Sequence, residues 1–182
     1  MFKHKWKLIL VFILTLFFLT WFFQSVLFRI RPRVTLSGVE IDLLKKEAAL
    51  SLQSSDVPVG AILVYGDSVL SSGHNTVYLD SNAGGHAEIN AISNAIRKIG
   101  FRAFSKLDRN QLTMISTFEP CMMCRGAIIE NRIHHLYFMK EKGFFHWIKN
   151  DLKQSLYEWN KKQSEGEAMQ DSLFRLHPDF RE

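Results

Sequence analysis

His86-Ala87-Glu88, followed further along by Pro120-Cys121-Met122-Met123-Cys124, is the split stretch on which the reading of this chain turns. It offers three side chains of the kind that bind zinc and one nearby carboxylate. The chain has only two cysteines, so no third is present to close a four-ligand structural site. A zinc site with three protein ligands leaves one tetrahedral position for water. In such a site the pKa of water falls from ~16 toward ~7, which makes it a nucleophile at neutral pH. His86, Cys121 and Cys124 are the candidate ligands. Glu88, two residues from His86, is near enough to move protons to and from that water without being a ligand. Alone, Cys-x-x-Cys also fits a redox pair or half of a structural zinc site. The His-x-Glu ahead of it and the proline beside it favour a catalytic metal.

Outward from the motif, helical and extended patterns alternate. Ile89, Ile92 and Ile96 recur at helical spacing behind His86, and Ala127-Ile128-Ile129 follow Pro120, which predicts helices over 86–98 and 121–131. Both ligand sets then fall at helix N-termini, where free N–H groups and the helix dipole favour thiolate. Residues 112–117 and 135–140 read as strands, and 59–65 with 68–72 as a hairpin around Gly66-Asp67. Ser37 and Glu40 fit a capping box opening an amphipathic helix that Pro58 stops. Phe145, Ile148, Leu152, Leu156 and Trp159 predict a helix over 144–162 with one apolar face on the sheet. Gly166 breaks it, and a short turn follows at 173–178. The aromatic run at 144–147 is read as core packing ahead of substrate contact.

Four segments carry a family resemblance: Pro58-Val59-Gly60-Ala61-Ile62-Leu63-Val64, Gly73-His74-Asn75, His86-Ala87-Glu88-Ile89, and residues 117–129 around Pro120-Cys121-Met122-Met123-Cys124. In this order, over roughly residues 40 to 140, the chain resembles the cytidine and deoxycytidylate deaminase superfamily, and within it the branch of tRNA adenosine deaminases and bacterial guanine deaminases. The resemblance implies an α/β fold: a three-layer α/β/α sandwich around a five-stranded mixed sheet. It implies one zinc, held by His86, Cys121 and Cys124, with Glu88 shuttling protons in the hydrolytic loss of ammonia from a nucleobase ring. It also implies that Asn75 hydrogen-bonds the substrate, and a homodimer. His74, the extra histidine near the site, is a further candidate for substrate contact. The wording of 86–92 looks like deoxycytidylate deaminases, and that of 119–124 like the adenosine and guanine branch, so the substrate stays open.

Residues 8–28 form 21 positions without a charge, in which only Thr15, Thr20, Gln24 and Ser25 are polar. At ~1.5 Å per residue they reach roughly 31 Å, enough for a bilayer's hydrocarbon layer. The expectation is a membrane anchor at 1–33, spanning once at 8–28 with the lipid bilayer as partner, ahead of a deaminase domain at 34–182. Lys3, Lys5, Lys7 and Trp6 would flank one side and Arg29, Arg31 and Arg33 the other. No small-x-small pattern follows, which argues against a cleaved signal peptide. Three Lys and Arg lie just before the span and five within about 20 residues after it, which places the domain on the cytoplasmic side. Thiolate ligands, which last best in a reducing compartment, agree.

The formal net charge of +5 does not by itself imply nucleic acid. Six of the 23 Lys and Arg lie in residues 1–33, leaving 17 against all 18 acidic residues in the remainder, a net of −1. A long RNA is normally met by a basic face. The local candidate, Arg97, Lys98, Arg102, Lys106 and Arg109, also fits an ordinary solvated helix end and loop. The main reading is therefore a membrane-anchored deaminase of a small nucleobase, nucleoside or nucleotide. Two alternatives stay open: a tRNA-specific adenosine deaminase, and a zinc-stabilised membrane scaffold without catalysis, against which the proton-shuttling Glu88 argues.

Overall fold

A computed structural model describes residues 2–27, 32–162 and 167–176. The chain divides into two compact units, Met1–Gly38 and Val39–Glu182. The first holds helix α1 (Phe2–Leu27), whose Thr15 and Thr20 hydroxyls donate back to the carbonyls of Val11 and Phe17.

The expected membrane span at 8–28, with single-pass membrane localisation and a bilayer partner, is not met. Among the described residues no helix is long and apolar enough to cross a membrane. Phe28, Arg29 and Arg31 lie outside the described residues, as do the side chains of Lys3, Lys5, Gln24 and Ser25.

The second unit is built on a mixed sheet of strands β1 (Gly60–Tyr65), β2 (Ser68–His74), β3 (Leu112–Phe118) and β4 (His135–Lys140), in the order β2-β1-β3-β4. β1 runs antiparallel to both β2 and β3, and β3 runs parallel to β4. The parallel pair needs a crossover, and helix α5 (Met122–Glu130) provides it. Helix α3 (Ala87–Ile99) and a short α4 (Phe101–Ser105) fill the connection from β2 to β3. Helix α2 (Gly38–Gln53) begins one residue after Ser37, where the capping pattern places it.

Four strands, not the expected five, make up this sheet. After β4 the chain turns through Glu141-Lys142-Gly143 straight into helix α6 (Phe144–Asn160). Apolar residues there recur at three and four positions, a helical period, so nothing in that stretch alternates as a fifth strand would. α6 itself agrees with its periodicity, but Phe145, Ile148, Leu152, Leu156 and Trp159 are exposed, so its apolar face does not lie on the sheet as expected. A final helix α7 spans Glu167–Leu176. Gly166 and the end of the expected turn at 173–178 lie outside the described residues, as do the side chains of Phe144 and Trp147.

Packing on the two faces of the sheet fixes where the split motif ends up in space. Alternate residues of β1 point to opposite faces. Ala61 and Leu63 join Ala87, Ala91, Ile92 and Ala95 of α3, with Leu112, Met114, Phe104, Ile128 and Ile133, in one buried core. The other face receives α2, whose Glu47 meets Ser72 and His74 of β2. Both helices approach closely because glycines lie beneath them. A Cβ on Gly60 would stand 2.5 Å from the Leu44 carbonyl oxygen of α2, and one on Gly73 would stand 2.5 Å from the Ala91 nitrogen and 2.7 Å from the Ala87 oxygen of α3. The stripe of α3 in closest contact with the sheet is the alanine row Ala87, Ala91 and Ala95, fully buried, with Ile92 of the sequence-predicted helical pattern buried beside it and Ile96 packed against the same core. Replacing Gly73 with Ala therefore forces α3 off β2. We expect a loss of about 1–3 kcal/mol, measured as a lower urea midpoint at fixed zinc concentration.

Candidate active site

Beyond the carboxyl end of β3 the chain passes through Glu119 and Pro120 to Cys121, the N-cap of α5, with Cys124 one turn inside. On the other side of the connection His86 is the N-cap of α3 and Glu88 lies in its first turn. The seating of α3 brings these two helix ends together. Nδ1 of His86 is 3.6 Å from Sγ of Cys121 and 3.5 Å from Sγ of Cys124, and the two sulfurs are 3.5 Å apart. Among the described residues these form the group of three that could hold a metal ion, all ligand atoms lying within 4.8 Å of one another.

This triangle has the dimensions of one face of a zinc tetrahedron. With Zn–S of ~2.3 Å and Zn–N of ~2.05 Å, tetrahedral angles put ligand atoms about 3.6–3.8 Å apart. The donor set, two thiolates and one imidazole, is also one that zinc prefers. The residues present therefore fit zinc, with one position free for a small ligand.

The sulfurs are already unequal. The pKa of Cys121 is lowered to about 4, first by the hydrogen bond it shares with Cys124, against the opposing effect of burial, with help from backbone N–H groups of Cys124 and Met123 and the charge of His86. The same hydrogen bond, then burial and the nearby Glu88, pushes Cys124 up. A bound divalent cation deprotonates coordinating thiols outright. The helix dipole of α5 favours the same outcome.

Glu88 is almost fully buried, and its Oε1 accepts a hydrogen bond of 3.1 Å from Ser116 Oγ of β3. It lines a cavity of about 350 Å³ together with His86, Cys121 and Asn75. Asn75 is buried too, its backbone N–H donating to Ser51 Oγ and to the Val59 carbonyl. His74 does not line this cavity. Its Nδ1 lies 2.9 Å from Glu47 Oε2 on the α2 side of the sheet, one residue out of phase with Asn75, as strand alternation requires.

Several lining residues were not among the candidate site residues: Asp56, Tyr78, Phe118, Glu119 and Lys142 all contribute to the wall. Asp56 follows α2 and is buried. Burial would raise its pKa, but N–H groups of Tyr78 and Leu79 and the hydroxyl of Ser54 outweigh it, so its carboxyl sits below the usual range. Lys142 donates its backbone N–H to Glu119 Oε2 and places its ammonium 5.3 Å from the Phe118 ring centre. Four separate connections supply these groups, and no local spacing joins them.

Residues 40–140 match the family described as the cytidine and deoxycytidylate deaminase zinc-binding region. A tRNA-specific adenosine deaminase of Buchnera aphidicola subsp. Schizaphis graminum is 38% identical over 94 residues, covering 51% of this chain and 58% of the relative. One from Rickettsia typhi is 36% identical over 95 residues, covering 51% and 61%. The chain thus spans little more than half the length of these curated relatives. A solved structure from work on A-to-I editing by tRNA:A34 deaminases at the wobble position of transfer RNA is similar at a TM-score of 0.51 and 30% identity, over 57% of this chain and 76% of that one. The guanine deaminase of Bacillus subtilis shares the fold at a TM-score of 0.60 and 21% identity, over 81% and 99%.

The inequality of the sulfurs has a chemical readout. After zinc is removed by chelation, iodoacetamide should modify Cys121 well before Cys124, at a rate that stays flat down to about pH 5 because its pKa of about 4 keeps it thiolate there. Zinc should protect both, as read by peptide mass spectrometry.

Proposed function

This chain belongs to the cytidine and deoxycytidylate deaminase family, and from that premise we propose that it is a zinc-dependent hydrolytic deaminase acting on adenine in tRNA. One observation carries the reaction class: His86 and Cys121 of the three-ligand cluster line the same cavity as the buried carboxylate of Glu88. The substrate rests on the relatives named tRNA-specific adenosine deaminases, 38% and 36% identical over the matched residues.

When bound, zinc supplies the positive charge that lowers the pKa of water toward ~7. His86, Cys121 and Cys124 hold it. Glu88, oriented by Ser116, accepts a proton from water and delivers it to the ring nitrogen beside the amino-bearing carbon. Water oxygen bonds to that carbon, the carbon–amine bond breaks as the amine takes a second proton through Glu88, and a ring carbonyl and ammonia result. Asn75, fixed by its backbone at the cavity wall, orients the base.

A second reading, deamination of a small free base or nucleotide, is favoured by charge. Residues 34–182 are close to neutral. Within the candidate basic cluster, Arg97 bonds Asn94, Lys98 bonds the Leu70 carbonyl at 2.8 Å and Arg109 bonds the Phe104 carbonyl at 2.7 Å. Those cations have structural employment.

Glu88→Gln should retain stoichiometric zinc and lose about 10²- to 10⁴-fold in kcat. Substantial residual turnover would remove Glu88 from its role. Wild-type protein, zinc-loaded, should convert adenosine to inosine in an anticodon stem-loop RNA, with binding that weakens steeply as salt rises. Ammonia release from free bases or nucleotides alone would decide for the second reading.

A further inference from the structure

Asn90 lies on α3, one helical turn beyond His86, and grips both ends of the loop that joins β2 to α3. Its backbone N–H donates to the His86 carbonyl at 2.9 Å, the first bond of the helix. Its side-chain amide donates to the His74 carbonyl at 2.8 Å and to Thr76 Oγ1 at 2.9 Å, with the Gly85 carbonyl 3.5 Å away. Those contacts bracket Asn75 on both sides in sequence, and Gly85 precedes His86. The loop is closed independently at the same place by the Thr76 N–H, which donates to the Gly85 carbonyl at 2.7 Å. Space there is tight: a Cβ on Gly85 would stand 2.8 Å from Thr76 Oγ1.

One side chain therefore ties the residue before Asn75, the residue after it and the residue before a metal ligand. We propose that Asn90 is a positioning residue that sets where Asn75 stands relative to His86. The amide has two hydrogens, and both go to groups flanking Asn75. Removing it leaves two buried acceptors without a donor and frees the loop to shift. A displacement of even ~1 Å between an orienting group and a reacting centre is costly to rate. Groups that hold a metal ligand in place commonly change metal affinity about 10- to 100-fold when lost. This inference rests on the deaminase reading for its kinetic consequence, but not for its effect on metal binding.

The same helix supplies a control. Asn94, one turn further on, donates its side-chain amide to the Ser72 carbonyl of β2 at 2.7 Å, a bond of the same kind that touches neither Asn75 nor His86. In the full chain, Asn90→Ala should weaken zinc about tenfold in competition with a chromophoric chelator, whereas Asn94→Ala should change it less than twofold while costing similar thermal stability. With an adenosine-containing anticodon stem-loop as substrate, Asn90→Ala should lower kcat/KM about 10- to 100-fold. Combined with Asn75→Ala, it should lose little more than Asn75→Ala alone, the signature of acting through that residue. Asn90→Ser, which still offers one donor, should fall between the two and serves if the alanine variant does not fold. Equal behaviour of the Asn90 and Asn94 variants in the zinc competition, or fully additive losses with Asn75→Ala, overturns the proposal. If the wild type deaminates no substrate, the functional reading fails, and the chelator competition still decides for or against Asn90.

Discussion

Helix α3 meets the sheet backbone to backbone. The absence of a side chain at Gly73 and the alanine row on the facing side of the helix leave no room for anything larger. That contact fixes the helix in depth and rotation, because interiors packed to this density tolerate little displacement. Rotation decides the chemistry. With Ala87 facing the sheet, the next residue, Glu88, lies toward the end of β3 within reach of Ser116, and His86 caps the helix facing the sulfurs.

The site this creates is an electrostatic compromise between two helix N-termini and three groups that carry or acquire negative charge. Two helix dipoles point their positive ends at the cluster, which suits thiolate and carboxylate alike. Without a cation the two sulfurs share a proton unevenly, and the carboxylate of Glu88 makes the inner one harder to ionise. His86, Cys121 and Cys124 would hold a divalent cation, whose charge would offset that of the thiolates and of nearby Glu88.

The cluster that could hold a metal ion was legible in the sequence, with the carboxylate beside it, because its spacing is local: Glu88 follows His86 within a helical turn, and Cys124 follows Cys121 within another. The helix N-termini were legible for the same reason, and so were the hairpin and the strands at 112–117 and 135–140. Asp56, Tyr78 and Lys142 were not, since each reaches the cavity from a separate loop and only tertiary contacts such as those of Asp56 with Tyr78 and Leu79 bring them in. Periodicity also predicted α6 while misplacing its apolar face, because a helical repeat fixes local conformation and says nothing of what covers it. The fifth strand came from resemblance alone, and the residues that follow Lys140 carry a helical period instead. The span over residues 8–28 came from composition, which describes a run of residue types and not the length of apolar helix that the described residues present.

Charge counting over the whole domain is a weak guide to substrate size, and the position of the basic residues shows why. Arg97 and Lys98 sit in the last turn of α3, where cations complement the helix dipole. His86 caps the opposite end. The two cations stand eleven and twelve residues beyond His86, which at ~1.5 Å each puts about 17–18 Å between them and that ligand. At ~3.4 Å per nucleotide of a helical strand, that is about five nucleotides. Cations at such a distance can strengthen a long RNA's grip but cannot distinguish a base in RNA from a free one at the metal. The groups nearer the cluster are those of the cavity wall: exposed Tyr78, Lys142 against Phe118, and the loop that Asp56 and Asn90 hold in place.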